Sequence, residues 1–385
     1  MNIGRLLSII ASASLALWAP GALAQTDTVK LGVIGSLTGP HSGWDVPASD
    51  GVQMAVSEIN AAGGFKVGDK TYKFSVVQED TQSKPDIAAT AAQKLLSDED
   101  IRFVMGVLTS TPGVPVANQM ARAKVLYVGG FTAMDGLVGT KGKELLLRAL
   151  DTDETAAKGF VPAAAKELGL KRVGMLLPND DVSKSIVKIY EPLFKQNGIE
   201  VGLVELFQPG TTDFAPVLRK FQNQGLDGLF IGYSDPDAEA IIRQSLEIGG
   251  LPTKFVYRGG SSQPAAKYAD KIDGFLWQIL TRDLANPSDD KVKDWILRYK
   301  AFTKKEVTPQ TYWALTFYDT VFMLVKAMQE AGTVTDPAAV AAKLKGMAYD
   351  GVRRMSYNGE GRAITDIDIG VLKGGKVYSI PQKIL

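Results

Sequence analysis

A short stretch in the second half of the chain carries residues suited to anion recognition. Residues 255–263 read FVYRGGSSQ, so a β-rich apolar run ends in an arginine, two glycines and two serines. The guanidinium of Arg258 offers a planar set of donors that matches a carboxylate. Gly259 and Gly260 carry no Cβ, so the backbone beside the arginine can approach a bound molecule closely. The stretch predicts contact with a small anion, with exposure of Arg258 to solvent as the alternative.

Four further stretches place small polar and aromatic residues after predicted strands. In one of them, Ser110 or Thr111 can cap a helix that has Pro112 in its first turn. Ligands of open α/β sheets bind beyond the carboxyl ends of the strands, and helix starts favour carboxylates. Serine and threonine cap helices in all proteins, so it is the convergence of several loops that favours a ligand site. The stretches are SLTGPHSGWD (36–45), LTSTPG (108–113), GGFTAMD (129–135) and GYSDPD (232–237).

Sequence signatures of catalysis are scarce. The chain has one histidine, His41, and no cysteine, which excludes thiolate nucleophiles, disulfides and cysteine-based metal sites. HExxH, GxSxG and phosphate-loop patterns are absent, and the glycines of GVIGSLTG do not fit a dinucleotide fingerprint. We therefore expect no enzymatic activity, no cofactor and no metal, and interpret His41 as a loop residue or a polar contact in a cleft.

The first residues and the charge balance indicate an exported chain that is not embedded in a membrane. Residues 1–24 combine Arg5, an apolar run and the closing Ala22-Leu23-Ala24, which is the pattern of a cleaved secretory signal. No later run approaches the ~20 apolar residues of a membrane helix. Lys and Arg total 43 against 42 Asp and Glu, and this balance argues against a nucleic-acid partner.

Apolar β-rich runs alternate with helical patterns along the chain, which is typical of a mostly parallel α/β fold. The cycle starts with VKLGVIG (29–35) and a helix over 48–64, and a second series of similar length begins after about residue 150. Two successive series predict two doubly wound parallel-sheet lobes. Beyond residue 280 we expect two long helices, followed by a hairpin that turns at Gly374-Gly375.

The opening VKLGVIGSLTGPHSGWDVPASDGVQMAVSEINAAGG resembles that of the leucine/isoleucine/valine-binding group of type I periplasmic binding proteins. GLDGLFIGYSDPDAEAIIRQSLEIGG and YWALTFYDTVFMLVKAM are also family-like, and the resemblance covers essentially the whole chain after the signal. It implies a soluble receptor of an ABC importer, with two α/β lobes joined by three crossovers. The implied lobes are 26–149 plus 280–350 and 150–279 plus 351–385, with crossings near LRALD, WQILTRD and GVRRMS.

The resemblance also carries residues of the family's binding site onto this chain. Ser110 matches the serine that binds the ligand carboxylate after the third strand. The contact after the fourth strand falls at Gly130, Phe131 and Thr132, and Tyr233 matches the tyrosine of the second lobe's GY turn.

Two positions depart from the family pattern. Val182 or Ser183 stands where relatives often have tyrosine-glycine, and Gly259 stands where amino-acid binders carry a glutamate that pairs with the α-ammonium group. A buried ammonium without a carboxylate costs several kcal/mol, so this loss disfavours an α-amino acid. Arg258 beside the gap repels a cation and attracts an anion. A carboxylate that lacks an amine is therefore the predicted ligand.

Aromatic residues in or beside the loops could enclose a flat or apolar ligand body. Two of the candidate residues have an alternative place in the fold. Tyr257 can pack in the core of its lobe, and Arg258 can bridge the lobes through Asp235 or Asp237. The aromatic candidates are Trp44, Phe131, Tyr233 and Tyr257, and Asp235 is a further candidate for contact with the ligand.

Together these inferences predict a periplasmic receptor of Gram-negative type whose two lobes close on a small carboxylate, such as an aromatic or other hydrophobic organic acid. Its partners would be that solute and a membrane permease, and we expect a monomer. A branched-chain amino acid or an amide is the rival ligand. A soluble sensor for a signalling partner is the rival function, and an exported hydrolase is a more remote one.

Overall fold

Two large β-sheets flanked by helices, and one small sheet, make up the part of the chain that can be described. The computed structural model describes residues 27–130, 136–150, 153–232, 234–279, 281–287 and 289–384. In these ranges no helix combines the length and the apolar character needed to cross a bilayer. The predicted signal of residues 1–24 lies outside the described residues.

The first sheet is formed by the N-terminal part of the chain. It alternates strands with helices: β1 (Asp27–Gly35), α1 (Ser42–Ala61), β2 (Phe65–Val67), β3 (Lys70–Asp80), α2 (Pro85–Leu96), β4 (Phe103–Gly106), α3 (Ser110–Ala123), β5 (Leu126–Gly129) and β6 (Leu146–Arg148). The strand order is β2-β3-β1-β4-β5-β6, and only the β2–β3 pair is antiparallel. Most of β1 is buried, as expected for a strand between two helical layers.

The chain then builds a second βα series. Its elements are α4 (Asp153–Leu168), β7 (Arg172–Pro178), α5 (Asp181–Gln196), β8 (Glu200–Phe207), α6 (Ala215–Phe221), β9 (Gly228–Ile231), α7 (Asp235–Ile248), β10 (Lys254–Tyr257), α8 (Gln263–Ala266) and β11 (Gly274–Ile279). All pairs among these strands are parallel.

The chain next returns to the first sheet. Helices α9 (Asp290–Thr303), α10 (Tyr312–Ala331) and α11 (Pro337–Leu344) add to its core, and a small antiparallel sheet follows with β12 (Ala348–Asp350), β13 (Arg354–Tyr357) and β14 (Ala363–Thr365). The last strands, β15 (Ile367–Lys373) and β16 (Lys376–Gln382), complete the second sheet in the order β16-β15-β11-β10-β9-β7-β8. The predicted hairpin at Gly374-Gly375 is confirmed, because β15 and β16 pair across it.

We call each large sheet with its helices a lobe. The predicted fold class of two doubly wound lobes with three chain crossings is confirmed by this topology. The third crossing, however, lies further along the chain than the predicted position near residue 351. Met355, Tyr357 and Ala363 are buried in the core of the first lobe, so the chain leaves that lobe only between Thr365 and Ile367.

Two helix starts also differ from the sequence predictions. Helix α1 begins at Ser42 and not near residue 48, so Trp44 and Asp45 lie on its first turn although they were predicted in a loop. Helix α3 begins at Ser110, and its N-cap is Thr109, which makes no capping bond through its side chain. The expectation that Ser110 or Thr111 caps this helix was therefore wrong.

Candidate functional site

The strand order reverses direction near β1 in the first sheet and near β7 in the second. Strand β1 lies between β3 and β4, and β7 lies between β8 and β9. Such switch points open a crevice beyond the carboxyl ends of the strands, where ligands of α/β sheets bind. The loops after β1 and β4 meet at this edge of the first lobe, and those after β9 and β10 meet at this edge of the second.

Asp45 joins the first two of these loops. Its carboxylate accepts hydrogen bonds from the backbone N–H of Ser36 at 2.6 Å and of Leu108 at 2.8 Å. The side chain is buried, and burial raises the pKa of the Asp45 carboxyl while the two N–H groups oppose that rise. One carboxylate on the first turn of α1 thus sets the distance between the loops after β1 and β4.

His41 and Trp44 form a second contact between the start of α1 and the loop after β4, and this contact is partly exposed to solvent. The Nδ1 atom of His41 lies 3.2 Å from the hydroxyl of Thr109, and its backbone N–H donates to Ser83 Oγ at 3.1 Å. The rings of His41 and Trp44 stack with centroids 5.9 Å apart, and Trp44 stays 42% exposed. The indole offers an accessible flat surface beside the helix start.

The serine and threonine candidates occupy the first turn of α3. Ser110 is half-buried and Thr111 is exposed. Gly130 follows β5 and is buried, and a Cβ there would overlap Leu108 and lie 2.9 Å from the Trp313 ring. Phe131 and Thr132 lie outside the described residues.

In the second lobe, Tyr257 is part of the core. Its side chain is fully buried, its ring packs 5.6 Å from that of Phe275, and its hydroxyl donates to Asp235. Burial and the bond to Asp235 both raise the pKa of the Tyr257 hydroxyl, which is therefore a neutral donor. Of the two possibilities considered for Tyr257, the structure shows packing in the core of the lobe. Its ring is therefore not exposed to a ligand.

Asp235 accepts hydrogen bonds from two residues of its own lobe. One carboxylate oxygen accepts from Tyr257 and the other from Ser261 Oγ at 2.8 Å. Both donors belong to the stretch around Arg258, so these bonds tie the start of α7 to the end of β10.

Arg258 is half-buried at the end of β10, and its charge reaches the first lobe. Burial raises the pKa of the Tyr312 hydroxyl at the start of α10, and the positive charge of Arg258 opposes that rise. Gly259 is buried beside it, and a Cβ at this position would overlap the Tyr257 ring. Tyr233 lies outside the described residues.

The start of α5 contains Val182 and Ser183, the two residues that the sequence places at the family's tyrosine-glycine position. Ser183 is buried, and its N–H donates to the Asp180 carboxylate at 2.8 Å, whereas the Val182 side chain is 41% exposed. Of the two residues at the family's tyrosine-glycine position, Val182 is therefore the one whose side chain is exposed.

The charged side chain of Asp80 forms hydrogen bonds with the loop after β1. Asp80 accepts from the backbone of Leu37 and Thr38 and from the Thr38 hydroxyl at 2.7 Å.

In the ranges that the structure describes, no group of three or more His, Asp or Glu side chains could hold a metal ion. A cavity of about 220 Å³ lies elsewhere in the first lobe, beside Arg298 and Asp319, and the Arg298 guanidinium there is paired with Glu58 and Asp294.

Comparison with known proteins agrees with this architecture. The model of a family described as periplasmic binding protein matches residues 28–376. A Leu/Ile/Val-binding protein of Rhizobium johnstonii is 28% identical over 326 residues, which cover 84% of each chain.

Two solved structures share the fold although they hold different molecules. An ABC transporter substrate-binding protein of Desulfitobacterium hafniense, in complex with Leu, gives a TM-score of 0.73 at 21% identity and covers 92% of this chain and 100% of that one. A solute-binding protein of R. palustris, in complex with 4-hydroxybenzoate, gives a TM-score of 0.68 at 20% identity and covers 93% and 97%.

Proposed function

The chain belongs to the periplasmic binding protein family, and from that premise we propose that it captures a small carboxylate without an α-ammonium group. Such proteins are solute-binding receptors of ABC transporters, so the expected partners are a small molecule and a membrane permease. The observation that carries the proposed ligand class is the pair of Arg258 and Gly259, because an arginine stands beside a residue that supplies no carboxylate where amino-acid binders of the family carry a glutamate.

An α-ammonium group would need an acceptor on the second lobe. Gly259 supplies no side chain where amino-acid binders of the family carry a glutamate, and the two oxygens of Asp235 each accept a hydrogen bond from a hydroxyl of the same lobe. A buried ammonium group without a carboxylate partner costs several kcal/mol, and residue 259 supplies no such partner. Arg258 makes the same region favourable for an anion.

The exposed indole of Trp44 supports an aromatic or otherwise hydrophobic acid. It is a flat apolar surface that stacks on His41, and His41 in turn contacts Thr109, the N-cap of α3, where Ser110 would receive the carboxylate. Phe131, Thr132 and Tyr233 complete the proposed contacts. The fold itself accommodates either class of ligand, since one neighbour holds 4-hydroxybenzoate and another holds Leu.

Binding by lobe closure follows from contacts on both sides of the crevice. Arg258 belongs to the second lobe and Trp44 to the first, so a ligand that touches both stabilises the closed state over the open one. The proposed receptor is exported by residues 1–24 and acts as a monomer without covalent chemistry. The proposed receptor would deliver its bound solute to a membrane permease and would not catalyse a reaction.

Calorimetry on refolded, ligand-free protein tests this function. Benzoate should bind at least tenfold more tightly than benzamide, because only the acid offers a charge to Arg258. Arg258→Ala should weaken benzoate binding more than tenfold, which corresponds to roughly 1.4 kcal/mol. Tight binding of leucine with no response to any aromatic or aliphatic acid would instead establish the branched-chain amino acid reading that the Rhizobium relative's name favours.

A further inference from the structure

We propose that Asp235 is a positioning residue, which holds the loop that carries Arg258 in the orientation that receives a carboxylate. In this role it acts on the ligand only through the loop and does not touch the bound molecule. The inference rests on the proposed function, because it assigns how the anion-binding group of that same site is held.

Asp235 is well placed to act as a fixed anchor. It is the first residue of α7, and Ser234 caps the helix by accepting from the N–H of Asp237 at 3.5 Å. The N-terminal end of a helix favours a negative charge, so the carboxylate is stabilised where it stands. Its position is therefore set by a 14-residue helix and not by the loop that it contacts.

The two donors to Asp235 lie on either side of Arg258. Tyr257 is the last residue of β10, and Ser261 follows after the two glycines, so one carboxylate holds both ends of residues 258–260. Ser261 Oγ also accepts from the N–H of Gln263 at 3.3 Å, which links this end of the loop to α8.

The interior of the loop is restricted as well. The N–H of Arg258 donates to the carbonyl of Ile231 at 3.3 Å, which continues the pairing of β10 with β9 by one residue. Gly259 lies so close to the Tyr257 ring that no side chain fits. These contacts hold the backbone of Arg258 on both sides and so fix the direction in which its side chain leaves the loop.

Hydrogen exchange of ligand-free protein tests the anchor without any ligand. In Asp235→Asn, the amide can accept from only one of the two hydroxyls, and in Ser261→Ala one donor is lost. Both variants should raise amide exchange across residues 258–261 by at least about fivefold. Ser262→Ala is the matched control, since it removes a neighbouring hydroxyl that caps nothing through its side chain.

Benzoate affinity in single and double variants tests the link to Arg258. Asp235→Asn and Ser261→Ala should each weaken benzoate binding about tenfold in the wild-type background. In the Arg258→Ala background the same changes should alter affinity by less than about twofold, because the group they position is gone. Ser262→Ala should leave affinity within about twofold of wild type.

Two outcomes would overturn the proposal. Unchanged exchange over 258–261 in both variants would show that Asp235 does not hold the loop. Equal losses of benzoate affinity with and without Arg258 would show that Asp235 contacts the ligand itself. If benzoate and all other acids fail to bind the wild type, the proposed function fails, while the exchange experiment still decides whether the loop is held.

Discussion

The carboxylate of Asp45 accepts a hydrogen bond from the backbone N–H of Leu108 across 2.8 Å, which joins the first turn of α1 to the loop before α3. The second oxygen of Asp45 accepts from Ser36, so the loops after β1 and β4 share one buried acceptor. Each lobe therefore has an aspartate at a helix start that accepts hydrogen bonds from two residues in or next to the loops after its strands: Asp45 in the first and Asp235 in the second.

Asp45→Asn should loosen the first lobe's binding loops. The asparagine amide group would face a backbone N–H in place of an acceptor, and a buried donor without a partner costs about 1–3 kcal/mol. We expect a loss of that size in the free energy of unfolding, measured with urea, and weaker benzoate binding. Asp86→Asn, at an exposed position in the first turn of α2, should change stability by less than about 1 kcal/mol. Equal effects of the two substitutions would refute this role for Asp45.

Gly259→Ala should destabilise the second lobe. The new Cβ would overlap the Tyr257 ring, which is fully buried and has no room to move. Overpacking of this kind costs about 1–3 kcal/mol. The neighbouring Gly260 is the control, because a Cβ there would find its nearest atom, the Gln278 carbonyl oxygen, 3.9 Å away. Thermal unfolding of the two alanine variants should differ clearly, and matching melting temperatures would contradict the packing argument.

The buried pair of Asp319 and Arg353 should make stability depend on pH. Burial raises the pKa of the Asp319 carboxyl from 3.8 to about 6, although Arg353 and the N–H groups of Val352 and Arg353 oppose the rise. Between these values the folded protein holds a proton that the unfolded chain has released. The contribution of this group to stability is complete below about pH 4 and is lost as pH rises through about 6, and it amounts to at most ~3 kcal/mol.

Asp319→Asn removes this titration. The wild type should therefore gain stability relative to the variant when the pH is lowered from 7 to 4. Urea unfolding of both proteins at the two pH values measures the gain. A stability difference that is the same at both pH values would show that Asp319 does not titrate in this range.

Trp44→Ala should weaken binding of aromatic acids more than binding of aliphatic ones. The indole is 42% exposed, so its removal should cost little stability, whereas stacking on a flat ligand is worth about 1 kcal/mol. Benzoate affinity should fall about fivefold, with a smaller change for 4-methylpentanoate. Leu297→Ala, at an exposed apolar position on α9, should leave both affinities unchanged. Equal losses for both acids would argue against stacking on Trp44.

The sequence was sufficient to predict the fold, because its main features are local. The alternation of apolar strands with helical patterns predicts two doubly wound lobes, and Gly374-Gly375 marks the final hairpin. The family resemblance identified from the opening motif is confirmed by the match over residues 28–376. The third crossing was misplaced because burial of Met355 and Tyr357 in the first lobe depends on packing between distant segments.

The binding loops were less predictable for the same reason. Nothing in the sequence around Asp45 indicates that it accepts from Leu108, which lies 63 positions away. The sequence allows Tyr257 to be either a ligand contact or a core residue. Only its burial and the hydrogen bond from its hydroxyl to Asp235, which depend on the folded structure, distinguish the two. Gly259 needed no structure to be interpreted. It stands where amino-acid binders of the family carry a glutamate, and this difference is the basis for predicting a ligand without an amine.

The most direct test compares two ligands that differ only in the amine. Ligand-free protein is titrated calorimetrically with leucine and with 4-methylpentanoate, its counterpart without the α-ammonium group. We predict that 4-methylpentanoate binds at least tenfold more tightly, a difference of roughly 1.4 kcal/mol, because Arg258 attracts the acid and Gly259 supplies no carboxylate for the ammonium group. Tighter binding of leucine would contradict the account.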